Sequence, residues 1–290
     1  MPETTNGGTI RPFRQVDVFG TTPYLGNAVA VVHDADRVTS DEMQQIALWT
    51  NLSETTFLAA PSNPGADYGV RIFTPTRELP FAGHPTLGSA HAWLEAGGVS
   101  QHPDRVIQEC GIGLVPLQRT PSGLAFAAPP LRRAGPASEE LRGRVIEMLG
   151  VDPSRAEAVE WVDNGPGWIG VLVDSAETVL ALRPGAVDRP IGVVGPHPAG
   201  AAAQFEVRAF VPSSGSTAED PVTGSLNASL ALWLLGSGRA HAPYVASQGA
   251  AIGHSGHVHV TRDAAGEVWI AGSTRTLVEG AIDVSTMPSR

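Results

Sequence analysis

The chain has 290 residues, 42% of them hydrophobic and 17% charged, which is enough apolar material for two cores of ordinary size. A net charge of −10 argues against a nucleic acid or an anionic membrane surface as partner. All 19 basic residues other than histidine are arginine, so neither a Schiff-base lysine nor a Walker phosphate-loop lysine is available. One cysteine, Cys110, excludes an internal disulfide framework and fits a reducing cytoplasm. The first eight residues are polar and lack the pattern of a secretory signal, and no apolar run reaches membrane-spanning length. The expectation is a cytoplasmic protein with a small-molecule partner.

In chain order, alternation predicts a strand from Phe13 to Phe19 and a second from Ala28 to Val32, joined by the turn-rich Gly20–Asn27. Ser40 reads as the N-cap of a helix from Asp41 to Trp49. The β-branched and aromatic run Asn51–Leu58 and the alternating Tyr68–Phe73 read as strands. A helix follows from Pro85 to Ala96, stopped by Gly97-Gly98. Arg105–Cys110, Ile112–Leu117 and Leu124–Ala128 read as a meander, and Pro129–Pro136 as a linker.

Beyond it come a helix from Ser138 to Leu149 closed by Gly150, strands near Glu160, at Trp168–Val173 and at Gln204–Val211, and a short helix near Ser175–Leu182. Pro221–Leu235 is apolar on nearly every face and must be buried all round. Late strands lie at Tyr244–Gln248, His257–Arg262, Glu267–Ala271 and Thr274–Val284.

Two stretches repeat. His84-Pro85-x-x-Gly88-Ser89 returns as Asp220-Pro221-x-x-Gly224-Ser225, with 220 − 84 = 136 residues between the copies, close to half the chain. Proline is favoured in the first turn of a helix. The pattern therefore places His84 and Asp220 at N-caps, where free N–H groups and the helix dipole make an anion site. Gly88 and Gly224 would let a ligand approach the backbone. The repeat predicts an α+β fold of two pseudo-symmetric domains, each a curled, mostly antiparallel sheet wrapped around a central helix. The expected boundaries are 1–128 and 129–272, with a strand at 273–285 packing back onto the first domain.

Several motifs together resemble the phenazine-biosynthesis F-type isomerases, which share the diaminopimelate epimerase fold. They are Asp17-Val18-Phe19 with Gly26-Asn27, Asn51–Phe57, Arg71-Ile72-Phe73-Thr74-Pro75, Glu78–Gly88, Glu219–Ser225 and Gln248-Gly249. The resemblance implies an active site in the cleft between two domains, no cofactor, a homodimer, and a biosynthetic role in specialised metabolism. It implies Glu54 as the acid/base, with His84 and Asp220 as further catalytic groups and Ser53, Gly83, Gly88, Gly224 and Ser225 in substrate binding. Two positions depart from the family pattern: Ala28 stands where proline is usual after Gly-Asn, and His254 where an arginine is usual.

The residues themselves narrow the chemistry. A related epimerase of this fold uses two thiols as acid and base, which one cysteine cannot supply. A carboxylate whose pKa is raised by burial can carry a proton alone, and Glu54 is one acid within a run of Thr, Phe, Leu and Ala. At a helix N-terminus His84 is expected to be neutral and to donate a hydrogen bond. Asp220, acceptor-only when ionised, suits an amine or hydroxyl. His257 and His259 share a strand face but have no third ligand in view, so no metal is expected. The reading is a cofactor-independent isomerase moving a proton, and a double bond with it, on a small unsaturated carboxylate. The alternatives are a non-catalytic small-molecule binding protein and an amino-acid epimerase or racemase.

Overall fold

The structure is a computed structural model that describes residues 9–213 and 215–285; the polar stretch 1–8 lies outside them. It is a sheet-dominated α+β chain in two compact units. The first unit takes in residues up to Val18, Ala28–Arg119 and the chain from Thr274; the second takes in Phe19–Asn27 and Thr120–Ser273.

In chain order the first unit carries β1 (Ile10–Val18), β2 (Asn27–Val32, from Ala28 on), α1 (Ser40–Thr50), β3 (Glu54–Ala59), β4 (Tyr68–Phe73), β5 (Glu78–Leu79), α2 (Gly83–Glu95), β6 (Arg105–Cys110) and β7 (Gly113–Thr120). The second unit carries β8 (Gly123–Ala127), β9 (Arg133–Pro136), α3 (Glu139–Leu149), β10 (Ala156–Asp163), β11 (Ile169–Val173), α4 (Ala176–Ala181) and β12 (Ile191–Pro196). It continues with β13 (Phe205–Ser213), β14 (Ser216–Asp220), α5 (Gly224–Gly236), β15 (Tyr244–Gln248), β16 (Gly256–Arg262) and β17 (Val268–Gly272). The last strand, β18 (Thr274–Asp283), returns to the first unit and pairs antiparallel with all of β1.

The strand pairings repeat. In the first unit β2 and β3 are parallel across α1, β3 and β4 antiparallel, and β4–β5 a hairpin; α2 then crosses to β6, which lies parallel to β4. In the second unit β11 and β12 are parallel across α4, β12 and β13 antiparallel, and β13–β14 a hairpin; α5 then crosses to β15, parallel to β13. A parallel pair needs a crossover, and here each crossover is a helix. α2 and α5 are thus corresponding helices, each thirteen residues long. α2 packs on β1, β3, β6 and β18, and α5 on β10, β16 and β17.

Three expectations are corrected. The boundary expected at 128/129 falls at Arg119/Thr120, because β8 pairs antiparallel with β17. The Gly20–Asn27 loop also groups with the second unit: His257 N–H bonds the Phe19 carbonyl at 2.9 Å and Ser255 N–H the Leu25 carbonyl at 2.7 Å. The expected linker Pro129–Pro136 ends in β9, which pairs with β10 from Glu160↔Pro136 to Asp163↔Arg133. Local caps follow composition more closely. Thr39, one residue before the expected Ser40, caps α1 in a reciprocal box with Glu42, and Ser138 and Ser175 cap α3 and α4.

Candidate active site

The two repeated motifs do not sit at the same phase of their helices. Gly83 and His84 are the first two residues of α2, whose N-cap is Ala82 with no side-chain bond. Pro85 is third, where its missing N–H has no intrahelical partner to lose. In the second copy Asp220 ends β14, Pro221 and Val222 form a bend, and Thr223, with extended dihedrals, is the N-cap of α5. Neither His84 nor Asp220 is an N-cap. Matching helix starts instead pairs Gly83-His84 with Gly224-Ser225, a separation of 224 − 83 = 141 residues. Gly88 has a packing reason of its own. A Cβ there would meet Val29 Cγ1 at 2.3 Å and Val18 Cγ2 at 3.2 Å, so its missing side chain seats α2 on β1 and β2.

In the first unit Glu54 opens β3, opposite Val29 of β2, after the left-handed Asn51 and an exposed bend at Ser53. Its Oε2 lies 3.2 Å from His84 Nε2, with side chains 14% and 4% exposed respectively. The imidazole also bonds the Ala28 carbonyl; burial, opposed by that bond, drives its pKa down to about 3. Burial therefore keeps His84 neutral. Its single N–H has a protein acceptor in Ala28, where donation to substrate was expected.

Two polar links hold the start of α2 in place. Gln108 donates to Thr86 Oγ1 at 3.0 Å and accepts from the Tyr68 hydroxyl at 2.9 Å, and Ser89 donates to Thr56 Oγ1 at 2.9 Å. All five side chains are buried.

In the second unit Asp220 is held on both oxygens. Asn27 donates to Oδ1 at 2.9 Å and the Thr223 hydroxyl to Oδ2 at 2.5 Å. Gln248, 1% exposed, stands behind them. It donates to Thr223 Oγ1 and to the Asp220 carbonyl, each at 3.0 Å, and accepts from Thr223 N–H at 3.0 Å and Asn227 Nδ2 at 2.8 Å. Every hydrogen-bonding position of this amide is used, which keeps Pro221–Thr223 out of the helix. The neighbouring acid Glu219 is taken up by Arg208, at 2.9 and 2.7 Å. Alternation along β14 thus separates a structural carboxylate from Asp220.

Ser225, half-buried in the first turn of α5, accepts from the Trp168 indole N–H at 3.2 Å, and its carbonyl accepts from Asn164 Nδ2 at 3.0 Å. Asn27, Thr223, Gln248, Asn164 and Trp168 were not singled out for roles by sequence reasoning. Apart from the local Thr223–Asp220 bond, their contacts to the site reach across as many as 195 positions of chain, beyond any local pattern. His254 donates through Nδ1 to the Gly26 carbonyl at 2.8 Å, next to Asn27, so it fixes the loop that reaches Asp220. Cys110 has its thiol pKa pushed up by burial, which leaves it a poor nucleophile. Among the described residues no group of three or more His, Cys, Asp or Glu is arranged to hold a metal; His257 and His259 lie opposite Ser247 and Val245.

The fold and site together are a sheet-rich pair of repeated units with a carboxyl–imidazole contact at one helix start. Comparison narrows it. The model for the phenazine biosynthesis-like protein family matches residues 16–281, and the chain belongs to that family and, with it, to the isomerases. The trans-2,3-dihydro-3-hydroxyanthranilate isomerase of Pseudomonas aeruginosa is 33% identical over 278 residues, covering 91% of this chain and 96% of the relative. A Schizosaccharomyces pombe protein named antisense-enhancing sequence 1 is 34% identical over 293 residues, covering 94% and 98%. In fold, a Bacillus anthracis phenazine biosynthesis protein of the PhzF family matches with a TM-score of 0.76 at 23% identity, over 94% of this chain and 99% of that one. A hydroxyproline epimerase from Agrobacterium vitis matches with a TM-score of 0.56 at 14% identity, over 96% and 94%.

Proposed function

We propose that the protein moves a proton between two carbons of a small unsaturated carboxylate, with Glu54 as the single acid/base. The observation that carries this reading is the 3.2 Å contact between Glu54 Oε2 and the neutral, buried edge of His84. As carboxylate, Glu54 takes a proton from one carbon; as carboxylic acid, it returns that proton to another. The substrate's electron pair shifts with the double bond, so charge and atoms balance. With the imidazole N–H given to Ala28, the Nε2 lone pair accepts from the Glu54 O–H in the loaded state. That orients the acid without protonating the ring. Asp220 and Ser225 hold polar groups of the substrate and stabilise charge as it shifts.

The identity to the Pseudomonas enzyme makes trans-2,3-dihydro-3-hydroxyanthranilate the first substrate to test. The experiment is turnover of this compound in deuterium oxide, read by NMR. The expected result is isomerised product from the parent protein and none from Glu54→Gln. Exchange of the α-proton of an amino acid, with no double-bond shift, would replace the isomerase reading with the epimerase one.

A further inference from the structure

We propose that the hairpin loop Asp163–Trp168 is a positioning device for Ser225: Trp168 fixes the hydroxyl from behind, so that its proton is presented outward to an acceptor oxygen of the ligand. This rests on the reading that Ser225 binds substrate.

The loop is built for the purpose by its own sequence. Asp163 Oδ1 accepts from Gly165 N–H at 2.7 Å and Gly167 N–H at 2.6 Å, and both glycines have positive φ, 148° and 92°. A side chain would strain either position. The Val162 N–H bond to the Trp168 carbonyl, 3.1 Å, closes the hairpin between β10 and β11. The closed loop brings two side chains to the first turn of α5, 57 and 61 residues further along the chain. Asn164 holds the Ser225 carbonyl and Trp168, 3% exposed, reaches its hydroxyl.

An indole nitrogen can only donate. It occupies a lone pair of Oγ and leaves the hydroxyl proton to be given elsewhere. A serine in the body of a helix ordinarily spends that proton on a carbonyl one turn back. At the second helical position of α5, behind the non-helical Pro221–Thr223 braced by Gln248, no such bond forms among the described residues. Trp168 therefore acts through Ser225 as a positioning residue.

The test combines a direct and a kinetic measurement on the full chain. The protein has six tryptophans, and the indole N–H resonance that disappears in Trp168→Phe identifies the Trp168 signal. That resonance is expected to move in Ser225→Ala; an unmoved signal would overturn the hydrogen bond. With trans-2,3-dihydro-3-hydroxyanthranilate as probe, Trp168→Phe keeps the ring and removes the donor. It is expected to raise KM on the order of 3–10-fold, the worth of one hydrogen bond, with a smaller change in kcat. The same substitution in a Ser225→Ala background is expected to do nothing further. Equal effects in both backgrounds would mean that Trp168 acts through packing, and would sink this proposal while leaving Ser225 as a binding residue. Unchanged kinetics in Ser225→Ala itself would remove the role of Ser225, and the proposal with it.

Discussion

The first turns of α2 and α5 occupy corresponding places in two copies of one topology, yet they are built in opposite ways. At α2 the ionisable side chain is the helix's own second residue, His84, sealed to 4% exposure and given a backbone acceptor. At α5 the second residue is the half-buried Ser225, and the charged group, Asp220, stands outside the helix at the end of β14. The first arrangement withholds charge from a buried ring. The second gives a carboxyl group two neutral hydrogen-bond donors, Asn27 and Thr223. One topology thus carries two polar groups in different surroundings, because burial and hydrogen-bond partners are set by packing more than by topology.

The largest effect that would test this division is Glu54→Gln. It keeps shape and removes the proton carrier, so kcat is expected to fall roughly 10²–10⁴-fold with the thermal midpoint nearly unchanged. More than about a tenth of the parent rate would move the acid/base elsewhere.

Next in size is Asp220→Asn. The amide loses the charge that Asn27 and Thr223 are arranged to meet, so substrate turnover is expected to drop on the order of 10–100-fold. Because Asp220 is not the N-cap of α5, loss of helix capping does not account for such a drop. Parent-like activity would reduce this half of the comparison to architecture.

The buried imidazole sets a pH dependence of stability. His84 has a folded pKa of about 3 against 6.5 for an ordinary imidazole, so between these the unfolded chain binds the extra proton. Its contribution is fully present above about pH 6.5 and is lost as pH falls toward 3, with a slope of about 1.4 kcal/mol per pH unit. Urea unfolding of the parent and of His84→Gln between these limits should give diverging curves, the parent being the steeper. Parallel curves would show that His84 is charged in the folded state.

The smallest effect is expected from Gly88→Ala. Overpacking against Val29 should cost about 1–3 kcal/mol of stability, and Val29→Ala should recover part of it. A raised KM at unchanged stability would instead return Gly88 to a ligand-contacting role.

Local chemistry made much of the scaffold legible. The helix starts at Ser138 and near Ser175, the glycine stop after Leu149 and the mostly apolar α5 each depend on residues within a turn or two, and each was readable without a fold. So were the absence of lysine, the lone cysteine and the repeated His-Pro and Asp-Pro motifs. Those motifs misled in one respect. Proline is compatible with the first turn at α2 and with a bend before α5, and the bend is braced by Gln248, 27 residues beyond Pro221.

What the sequence determined by itself was therefore the presence of two helix starts with ionisable residues beside them, because caps, prolines and glycines act over a few residues. What the tertiary structure decided was the state and surroundings of each group: a neutral His84 against Glu54, an Asp220 gripped from Asn27, a Ser225 hydroxyl held by Trp168. Burial and long-range hydrogen bonds set those states, and both arise when distant segments pack together.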